Sequence, residues 1–553
     1  MSTISANTQE APASSNTSNS TPRRMVGLTS LTMISVGSMV GSGWLFGAYR
    51  ASEIAGPAAI FAWIIGAIAV LFTALTFMEV ATALPVSGGP VKYLEKTHGS
   101  VVGFLASWAI WLSFVSVIPV EAEASVQYMA SWPWEWVKPL TSQLFNPASG
   151  ALTWVGLSIA VILMLVYFFL NFWSINLFTK SVNAITTYKL VVPVLTVGLI
   201  IYAGFHPGNF ESVNNTLAPF GWSSVFTAVA ISGIVFAYNG FQAALFFSGE
   251  AKNPSKNIPK ALIYSIAFCA ILYVGLQIAF IGGVSPDNLA KHGWHLNFSS
   301  PFAQLALILG LHFLTLLLFI DAFISPSGTG IGYMGTVSRQ LFGMSENGYM
   351  PKSCKKLDKK YGVPRTAMVI NFIVGLIFLD MFRGWGQLAA VISVATVISF
   401  MVGPLTLGSL RKVAPDLKRP VYLKWGHLIS PLSFVISSEL FYWSTWPLTG
   451  KVIFVILIGF LLFGYFQMKK GLNGFGQHIR SSIWIVTMFA TMTLISYVGS
   501  SQFGGLNLLP YGWDMVIVAI AALIFYYWGV NSAWVTPMLE QTLNKNLHVK
   551  EHE

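Results

Sequence analysis

The run Ser35-Val36-Gly37-Ser38-Met39-Val40-Gly41-Ser42-Gly43 lies in the middle of the first long apolar stretch of the chain. Three of its nine residues are glycine and three are serine, a composition that weakens an α-helix. In the hydrocarbon core of a membrane, no water can hydrogen-bond the backbone groups that leave a helix. The run therefore predicts a membrane helix that breaks at mid-depth, where a small polar ligand satisfies the freed backbone groups.

The composition places the rest of the chain in the membrane as well. Hydrophobic residues make up 54% of the 553 residues, charged residues only 9%, and the mean hydropathy is +0.66. A soluble multi-domain chain does not reach these values. Windows of about 19 residues indicate about fourteen membrane helices, in the apolar runs 26–49, 58–84, 101–131, 152–173, 182–205, 224–248, 261–284, 302–336, 366–382, 385–409, 427–446, 451–468, 481–499 and 513–533.

Lysine and arginine are distributed unequally between the two faces of this predicted bundle. With loops assigned alternately to two sides, one side receives 25 of the 31 Lys and Arg residues, and Lys189 falls inside a span. The other side receives five, namely Arg50, Lys138, Lys291, Arg383 and Lys451. Loops rich in Lys and Arg stay in the cytoplasm. The net charge of +11 thus indicates a multi-pass protein of the cell membrane with both termini in the cytoplasm, and not a nucleic-acid partner.

No cofactor and no catalytic group is indicated. The two cysteines, Cys269 in a predicted helix and Cys354 in a predicted loop, offer neither a disulfide framework nor a metal cluster. Because hydrolase and metalloprotease motifs do not occur, we do not expect an enzyme. Residues 1–22 predict a disordered cytoplasmic tail, and residues 534–553 a cytoplasmic C-terminal tail. The expected partners are a small-molecule substrate and the lipid bilayer, and the oligomeric state stays open.

A second interruption follows five helices after the first. Gly233 and the segment Phe236-Ala237-Tyr238-Asn239-Gly240-Phe241-Gln242 place glycines and amides at mid-depth of the sixth run. An odd offset means that two five-helix units enter the membrane in opposite orientations, as in many secondary transporters. We predict a first repeat at 23–205, an inverted repeat at 224–410 and four additional helices at 427–533. The alternative is that the glycines serve only close helix packing.

Three motifs carry a resemblance to a known family. The stretch 37–46 resembles the glycine-serine-glycine signature of the amino acid, polyamine and organocation permeases. Residues 236–242 with the following 249–260, and residues 338–351 with Gly362-Val363-Pro364, are similar to helix six and to the loop after helix eight in that family. The helix count and the string 119–124 resemble a narrower group, the fourteen-helix bacterial aspartate-proton symporters. The resemblance implies an all-α integral membrane protein with a five-plus-five inverted-repeat (LeuT-like) core.

The two breaks predict a site for both ends of an α-amino acid. Backbone amides at Gly41, Ser42 and Gly43 begin a half-helix whose positive end attracts a carboxylate. Carbonyls near Met39 and those of residues 236 and 238 accept hydrogen bonds from an ammonium group.

Side chains around the second break are expected to shape the pocket. The resemblance implies that Phe236 is an aromatic gate, although packing is the common role of such a ring. Asn239 and Gln242 shape the side-chain pocket in this interpretation, whereas Tyr238 contributes its backbone carbonyl to the ammonium site. Many relatives carry a glutamate where Gln242 stands, so a proton relay at this position is not expected here.

Ionisable residues inside spans are candidates for coupling and selectivity. Glu121 and Glu123 are two residues apart, so one of them is expected to face the substrate cavity. Lys189 lies too deep to reach the interface easily, and the resemblance implies that it replaces a sodium ion between helices one, five and eight. The alternative is a helix-end lysine that reaches the membrane surface. Asp321, with Ser325 and Thr329 on the same helix face, is the second proton-coupling candidate.

Two further charged positions are expected to be structural. His312 lies nine residues before Asp321 and hence on the opposite helix face, where a packing role is favoured. Glu79 lies near the cytoplasmic end of helix two, with Lys92 or Arg339 as its expected partners.

The sequence therefore predicts a secondary active permease for amino acids. Lys189 and the resemblance to aspartate-proton symporters favour acidic or neutral substrates such as aspartate, whereas the acidic residues in the spans would suit cationic amino acids or amines. The expected coupling ion is the proton, because a cation already in the helix-five position makes sodium less favourable. An amino-acid or amine exchanger of the same fold is the alternative, followed by a channel or a nutrient receptor that does not transport.

Overall fold

The computed structural model describes residues 26–85, 89–173, 175–211, 216–246, 248, 251–358, 362–470 and 475–550. Residues 1–22, predicted as a tail, and Gly249-Glu250 of the second motif lie outside these residues. In the described part, helices occupy each of the fourteen predicted apolar runs. Ten of the described helical segments are long and apolar enough to cross a membrane.

The first five runs and the segments between them form helices α1 to α9. Two of these runs are interrupted: α1 and α2 belong to the first, and α5 and α6 to the third. The bounds are α1 Leu28–Met39, α2 Gly43–Ala55, α3 Ala59–Ala83, α4 Tyr93–His98, α5 Ser100–Val115, α6 Val117–Met129, α7 Lys138–Thr141, α8 Trp154–Trp173 and α9 Ile175–Gly204. A two-stranded antiparallel hairpin, β1 Phe145–Asn146 and β2 Ala151–Leu152, precedes α8.

The next five runs and the segments between them form helices α10 to α19. The sixth run is divided into three short helices, and the eighth is divided at Leu309–Leu311, where Gly310 has a φ of +71°. The bounds are α10 Ser223–Ile231, α11 Ile234–Tyr238, α12 Ala243–Phe246, α13 Pro254–Gly283, α14 Pro286–His292, α15 Pro301–Ile308, α16 His312–Glu346, α17 Arg365–Met381, α18 Trp385–Phe400 and α19 Val402–Val413.

The last four runs, together with two short helices beside them, form an extension that packs against the preceding helices. The helices are α20 Gly426–Tyr442, α21 Leu448–Lys470, α22 Phe475–Arg480, α23 Ile483–Val498, α24 Trp513–Ser532 and α25 Pro537–Lys550. Helix α20 contacts α3, α18 and α19, while α21 contacts α5 and α24 contacts α19. The segment predicted as a C-terminal tail thus contains the helix α25, which packs on α4.

An ion-pair cluster fixes the end of α3, and the expected partners of Glu79 are wrong. Glu79 accepts hydrogen bonds from Arg411 at 2.6 and 2.9 Å and pairs with Arg419 at 3.2 Å. The backbone amide of Leu423 donates to the same carboxylate at 2.8 Å. Lys92 pairs instead with Glu346 at 3.7 Å. Two arginines bring five donors each, which suits a buried carboxylate better than a single lysine.

Candidate functional site

The first helix breaks where the glycine-serine run predicts it. Helix α1 ends at Met39, and α2 begins at Gly43. The amide of Gly41 donates to the Met39 carbonyl at 3.0 Å. The amide of Ser42 donates to Oε2 of Glu121 at 2.9 Å. One of the three amides predicted to hold a ligand carboxylate therefore holds a side-chain carboxylate from α6.

Glu121 is enclosed at this break. Its side chain is 0% exposed. A Cβ atom at Gly41 would lie 2.5 Å from Oε1 of Glu121 and 3.0 Å from Oγ1 of Thr329, so only glycine leaves room for the carboxylate. Among the residues that the structure describes, Oε1 has no hydrogen-bond partner. The carboxylate is thus held by one oxygen and left unsatisfied at the other.

Glu123 has a different environment, although it is also 0% exposed. Neither of its carboxylate oxygens has a hydrogen-bond partner within the described part of the chain. Of the two glutamates, Glu121 is the one that contacts the break in the first helix.

Lys189 connects three helices. Its ammonium group donates to the Gly37 carbonyl on α1 at 2.9 Å and to Oγ1 of Thr329 on α16 at 2.8 Å. Its side chain is buried at 3% exposure, so it does not extend to the membrane surface. The charge of Lys189 also interacts with those of Glu121 and Asp321. A single cation therefore faces two carboxylates across the middle of the bundle.

The polar face of α16 lies in the same region. Asp321 accepts a hydrogen bond from Ser325 at 2.8 Å, and both residues are fully buried. Thr329, one turn further, reaches Lys189. His312 is the first residue of α16 and is exposed, away from this face.

The second break lies in the sixth run, and a tryptophan joins it to the first. Gly233 has a φ of +94°, and a Cβ atom there would lie 2.7 Å from the ring of Trp385. Trp385 donates through Nε1 to the Ser42 hydroxyl at 2.8 Å and stacks on Phe46 with ring centroids 4.7 Å apart. The ring of Phe236 meets Trp385 edge-on at 6.0 Å. Phe236 thus lies next to the Ser42 segment.

A tyrosine hydroxyl bridges the two breaks. The hydroxyl of Tyr273 on α13 lies 3.0 Å from the Met39 carbonyl and 3.1 Å from the Ala237 carbonyl. The carbonyl of Phe236 accepts from the Asn239 amide at 2.9 Å. Two of the carbonyls predicted to bind an ammonium group, those of Met39 and Phe236, therefore already accept hydrogen bonds from the chain.

The remaining predicted pocket residues are buried around the end of α11. Tyr238 directs its hydroxyl to the Trp63 carbonyl at 3.3 Å. Asn239 donates to the Ser113 hydroxyl at 3.5 Å. The side-chain carbonyls of Asn239 and Gln242 have no hydrogen-bond partner among the described residues. These two amides retain acceptor capacity for a ligand.

Neither Trp385 nor Tyr273 is among the residues predicted from sequence. Trp385 is the first residue of an ordinary apolar run, and Tyr273 lies in one, so no local signal distinguishes them from packing residues. Their roles arise from contacts between helices that are distant in sequence.

A polar cavity of 350 Å³ opens at the far end of α2. Tyr49, Arg50 and Glu53 line it from α2 and Gln127 from α6, and the loops 145–150 and 295–298 complete it.

Comparison with known proteins identifies the family. The amino acid permease family matches residues 26–463. A glutamate/serine transporter, AimA, of Bacillus subtilis is 52% identical over 524 residues, which cover 95% of this chain and 96% of that protein. An aspartate-proton symporter of the same organism is 35% identical over 92% of this chain and 96% of its own length. A branched-chain amino acid permease, BcaP, also of Bacillus subtilis, is 25% identical over 81% of this chain and 94% of its own length.

These matches confirm the resemblance inferred from the glycine-serine run and its companion motifs, and they agree with the predicted absence of enzymatic function. The chain is a multi-pass, all-α membrane protein with two broken helices, and its relatives are amino-acid transporters. The protein therefore belongs to the amino acid permease family, within the amino acid, polyamine and organocation superfamily.

Proposed function

We propose that this amino-acid transporter is a proton-coupled symporter of the cell membrane, with an acidic or neutral amino acid as its substrate. The observation that carries the proposal is the position of Lys189, whose ammonium group occupies the junction of α1, α9 and α16 at 2.8 and 2.9 Å from its acceptors. A fixed cation at this junction disfavours a sodium ion there and favours the proton as the coupling ion.

The substrate is proposed to bind between the two broken helices. Its carboxylate would accept a hydrogen bond from the Ser42 amide at the start of α2, where the helix dipole favours an anion. Its ammonium group would compete for carbonyls of the second break, and its side chain would face Asn239 and Gln242. Backbone recognition of this kind accepts many side chains, so selectivity depends on residues of α6, α11 and α16.

The substrate class rests on the relatives. The buried charges near the site do not select it, because the ammonium group of Lys189 interacts with the carboxylates of both Glu121 and Asp321. The relatives named for glutamate, serine and aspartate support an acidic or neutral amino acid.

Orientation follows from the loop charges. The excess of Lys and Arg on one side supports a cytoplasmic location for both termini, because such loops are retained inside. The 350 Å³ cavity at the end of α2 would then face the outside and offer the substrate its path towards the break.

The test is uptake by the purified protein in liposomes with an imposed pH gradient. We expect labelled aspartate, glutamate or serine to accumulate when the outside is acidic, and competition by all twenty amino acids to rank the substrates. Equal uptake with and without the gradient, but acceleration by unlabelled substrate inside, would instead identify an obligate exchanger. Binding without any flux would identify a receptor.

A further inference from the structure

The contact between Glu121 and Ser42 places a protein carboxylate where the proposed function requires the carboxylate of the substrate. An amide has one hydrogen, so the Ser42 amide cannot donate well to both groups at once. Glu121 reaches it at 2.9 Å. Oε1 of the same carboxylate fills the space that the absent side chain of Gly41 leaves beside this amide.

We infer that the carboxylates of Glu121 and of the substrate accept the hydrogen bond of the Ser42 amide in turn, and that Glu121 carries the coupled proton when the substrate displaces it. This inference rests on the proposed function, because it specifies the group that couples protons to amino-acid binding at that site.

The unsatisfied oxygen of Glu121 supports an exchange of this kind. A buried polar atom without a hydrogen-bond partner costs about 1–3 kcal/mol. Oε1 is such an atom in the part of the chain that is described. The contact with Ser42 therefore holds Glu121 only partly, and a ligand that makes more hydrogen bonds at the break can replace it.

The charges around Glu121 make protonation part of the exchange. Among the described residues, the cation that interacts with it is Lys189, which also interacts with Asp321. The other ionisable groups that interact with Glu121 are the neutral hydroxyls of Tyr167 on α8, Tyr273 on α13 and Tyr333 on α16. A substrate carboxylate would add a further negative charge beside this single lysine. Like charges in a buried site cannot all remain ionised, so one carboxylate takes up a proton.

The cycle balances with one proton for each substrate. From the outside, a proton binds the carboxylate of Glu121, whose hydrogen bond to the Ser42 amide breaks, and the substrate carboxylate forms a new one. After the site opens inward, the substrate leaves, Glu121 releases its proton to the cytoplasm, and its carboxylate returns to Ser42. No further ion is needed.

Glu121→Gln separates the hydrogen bond to the Ser42 amide from the transport of the proton. Glutamine keeps the size of the side chain and one acceptor oxygen but cannot carry a proton. Glu123→Gln is the matched control, because Glu123 is equally buried on the same helix but, among the described residues, its carboxylate makes no hydrogen bond to the break. Both variants and the wild type are reconstituted in liposomes with the membrane potential clamped at zero.

Two assays are compared. With one proton for each substrate, a pH gradient of one unit drives about tenfold accumulation. We expect this accumulation in the wild type and in Glu123→Gln, and none in Glu121→Gln. We expect exchange of labelled for unlabelled substrate, without a gradient, in all three.

The outcomes distinguish the inference from the function on which it rests. No accumulation by the wild type overturns the proposed function. Accumulation by both the wild type and Glu121→Gln overturns the role of Glu121. Loss of exchange together with accumulation in Glu121→Gln also overturns it, because Glu121 would then be a ligand for the substrate.

A second measurement covers the case in which Glu121→Gln does not fold. Substrate is added to the wild type in weakly buffered detergent solution with a pH indicator. We expect uptake of about one proton for each substrate bound, with Glu123→Gln giving the same value. Binding without proton uptake overturns the inference.

Discussion

Gly240 lies where the two broken helices come into close backbone contact. Its φ is +110°, and a Cβ atom there would lie 2.8 Å from the backbone of Ser38. Both the backbone conformation and the contact exclude a side chain, since strained positive-φ residues cost about 1–3 kcal/mol before any clash is counted. We expect Gly240→Ala to lower the apparent melting temperature in detergent and to abolish uptake.

Gly332 offers a matched control for that substitution. It lies inside α16, and a Cβ atom there meets no atom within 4 Å. We expect Gly332→Ala to leave uptake unchanged and to keep or slightly raise the melting temperature, because alanine is favoured over glycine inside a helix. Equal effects of the two substitutions would show that the close approach at Gly240 is not required.

Lys189 is the residue whose removal should separate binding from coupling. Lys189→Ala removes the ammonium group from Gly37 and Thr329 and leaves Glu121 without its facing cation. We expect Glu121 then to stay neutral, so that uptake no longer depends on the pH gradient while substrate exchange persists. Reconstituted uptake at several imposed gradients measures this, with the exposed Lys291→Ala as control. An unchanged dependence on the gradient would remove Lys189 from the mechanism.

At these residues, local features could be predicted from the sequence, but contacts between distant residues could not. The break at residues 39–43 follows from local composition, and the depth of Lys189 follows from counting along its helix. The contact between Ser42 and Glu121 joins residues 79 positions apart, and that between Ser42 and Trp385 joins residues 343 apart. Such pairs depend on how the helices pack, which helical periodicity does not encode.

At the scale of elements, α13 holds the two broken helices together through Tyr273. The hydroxyl lies between the Met39 carbonyl of one break and the Ala237 carbonyl of the other. Tyr273→Phe removes this bridge but keeps the ring, which packs against Trp63 and Tyr238. One such hydrogen bond contributes about 1 kcal/mol.

We expect Tyr273→Phe to fold and to alter the rate of uptake several-fold, because 1.4 kcal/mol corresponds to about a factor of ten. Tyr264→Phe is the control: Tyr264 lies on the same helix, but its side chain is 51% exposed. Initial rates of substrate exchange in liposomes compare the two. Equal rates for both variants and the wild type would mean that the bridge does not limit the transitions between states.

The hydropathy of the sequence predicts where the helices lie, but it predicts their ends less well. Every predicted apolar run contains helix in the described residues, because hydropathy alone marks a segment that must bury its backbone in lipid. Helices α9 and α13 begin seven residues before their runs, and α16 extends ten residues beyond its run. Polar residues at the membrane surface continue these helices, and hydropathy does not detect them.

At the scale of the whole molecule, the four additional helices are joined to the rest of the chain on the predicted cytoplasmic side. Trp534 donates its amide to the Thr97 carbonyl at 2.9 Å, and Thr536 donates its hydroxyl to the Lys96 carbonyl at 2.7 Å. Lys96 donates to Thr542 on α25 at 2.7 Å. The sequence predicted only a tail here, since a short polar helix is stable through the surface that it contacts and not through its own composition.

His98 lies at the centre of this junction. Its Nε2 is 2.9 Å from the Gly529 carbonyl on α24, and its Nδ1 is 2.9 Å from the Thr97 hydroxyl. A carbonyl only accepts, so the proton of the neutral ring lies on Nε2. Burial lowers the pKa of His98 to about 4, from an ordinary value of 6.5. Near neutral pH the ring is therefore uncharged and fits the junction.

Acidification should then weaken the junction between the extension and α4. Above pH 6.5 the His98 ring is neutral in both the folded and unfolded chain, and its titration has no effect on stability. Between pH 6.5 and 4 the unfolded chain binds a proton that the folded chain excludes. The free energy of unfolding therefore decreases as the pH is lowered, by a total of about 3 kcal/mol. We expect the apparent melting temperature of the wild type to fall more steeply over this interval than that of His98→Gln, which cannot be protonated. The exposed His427→Gln should follow the wild type, and parallel curves for all three proteins would contradict the prediction.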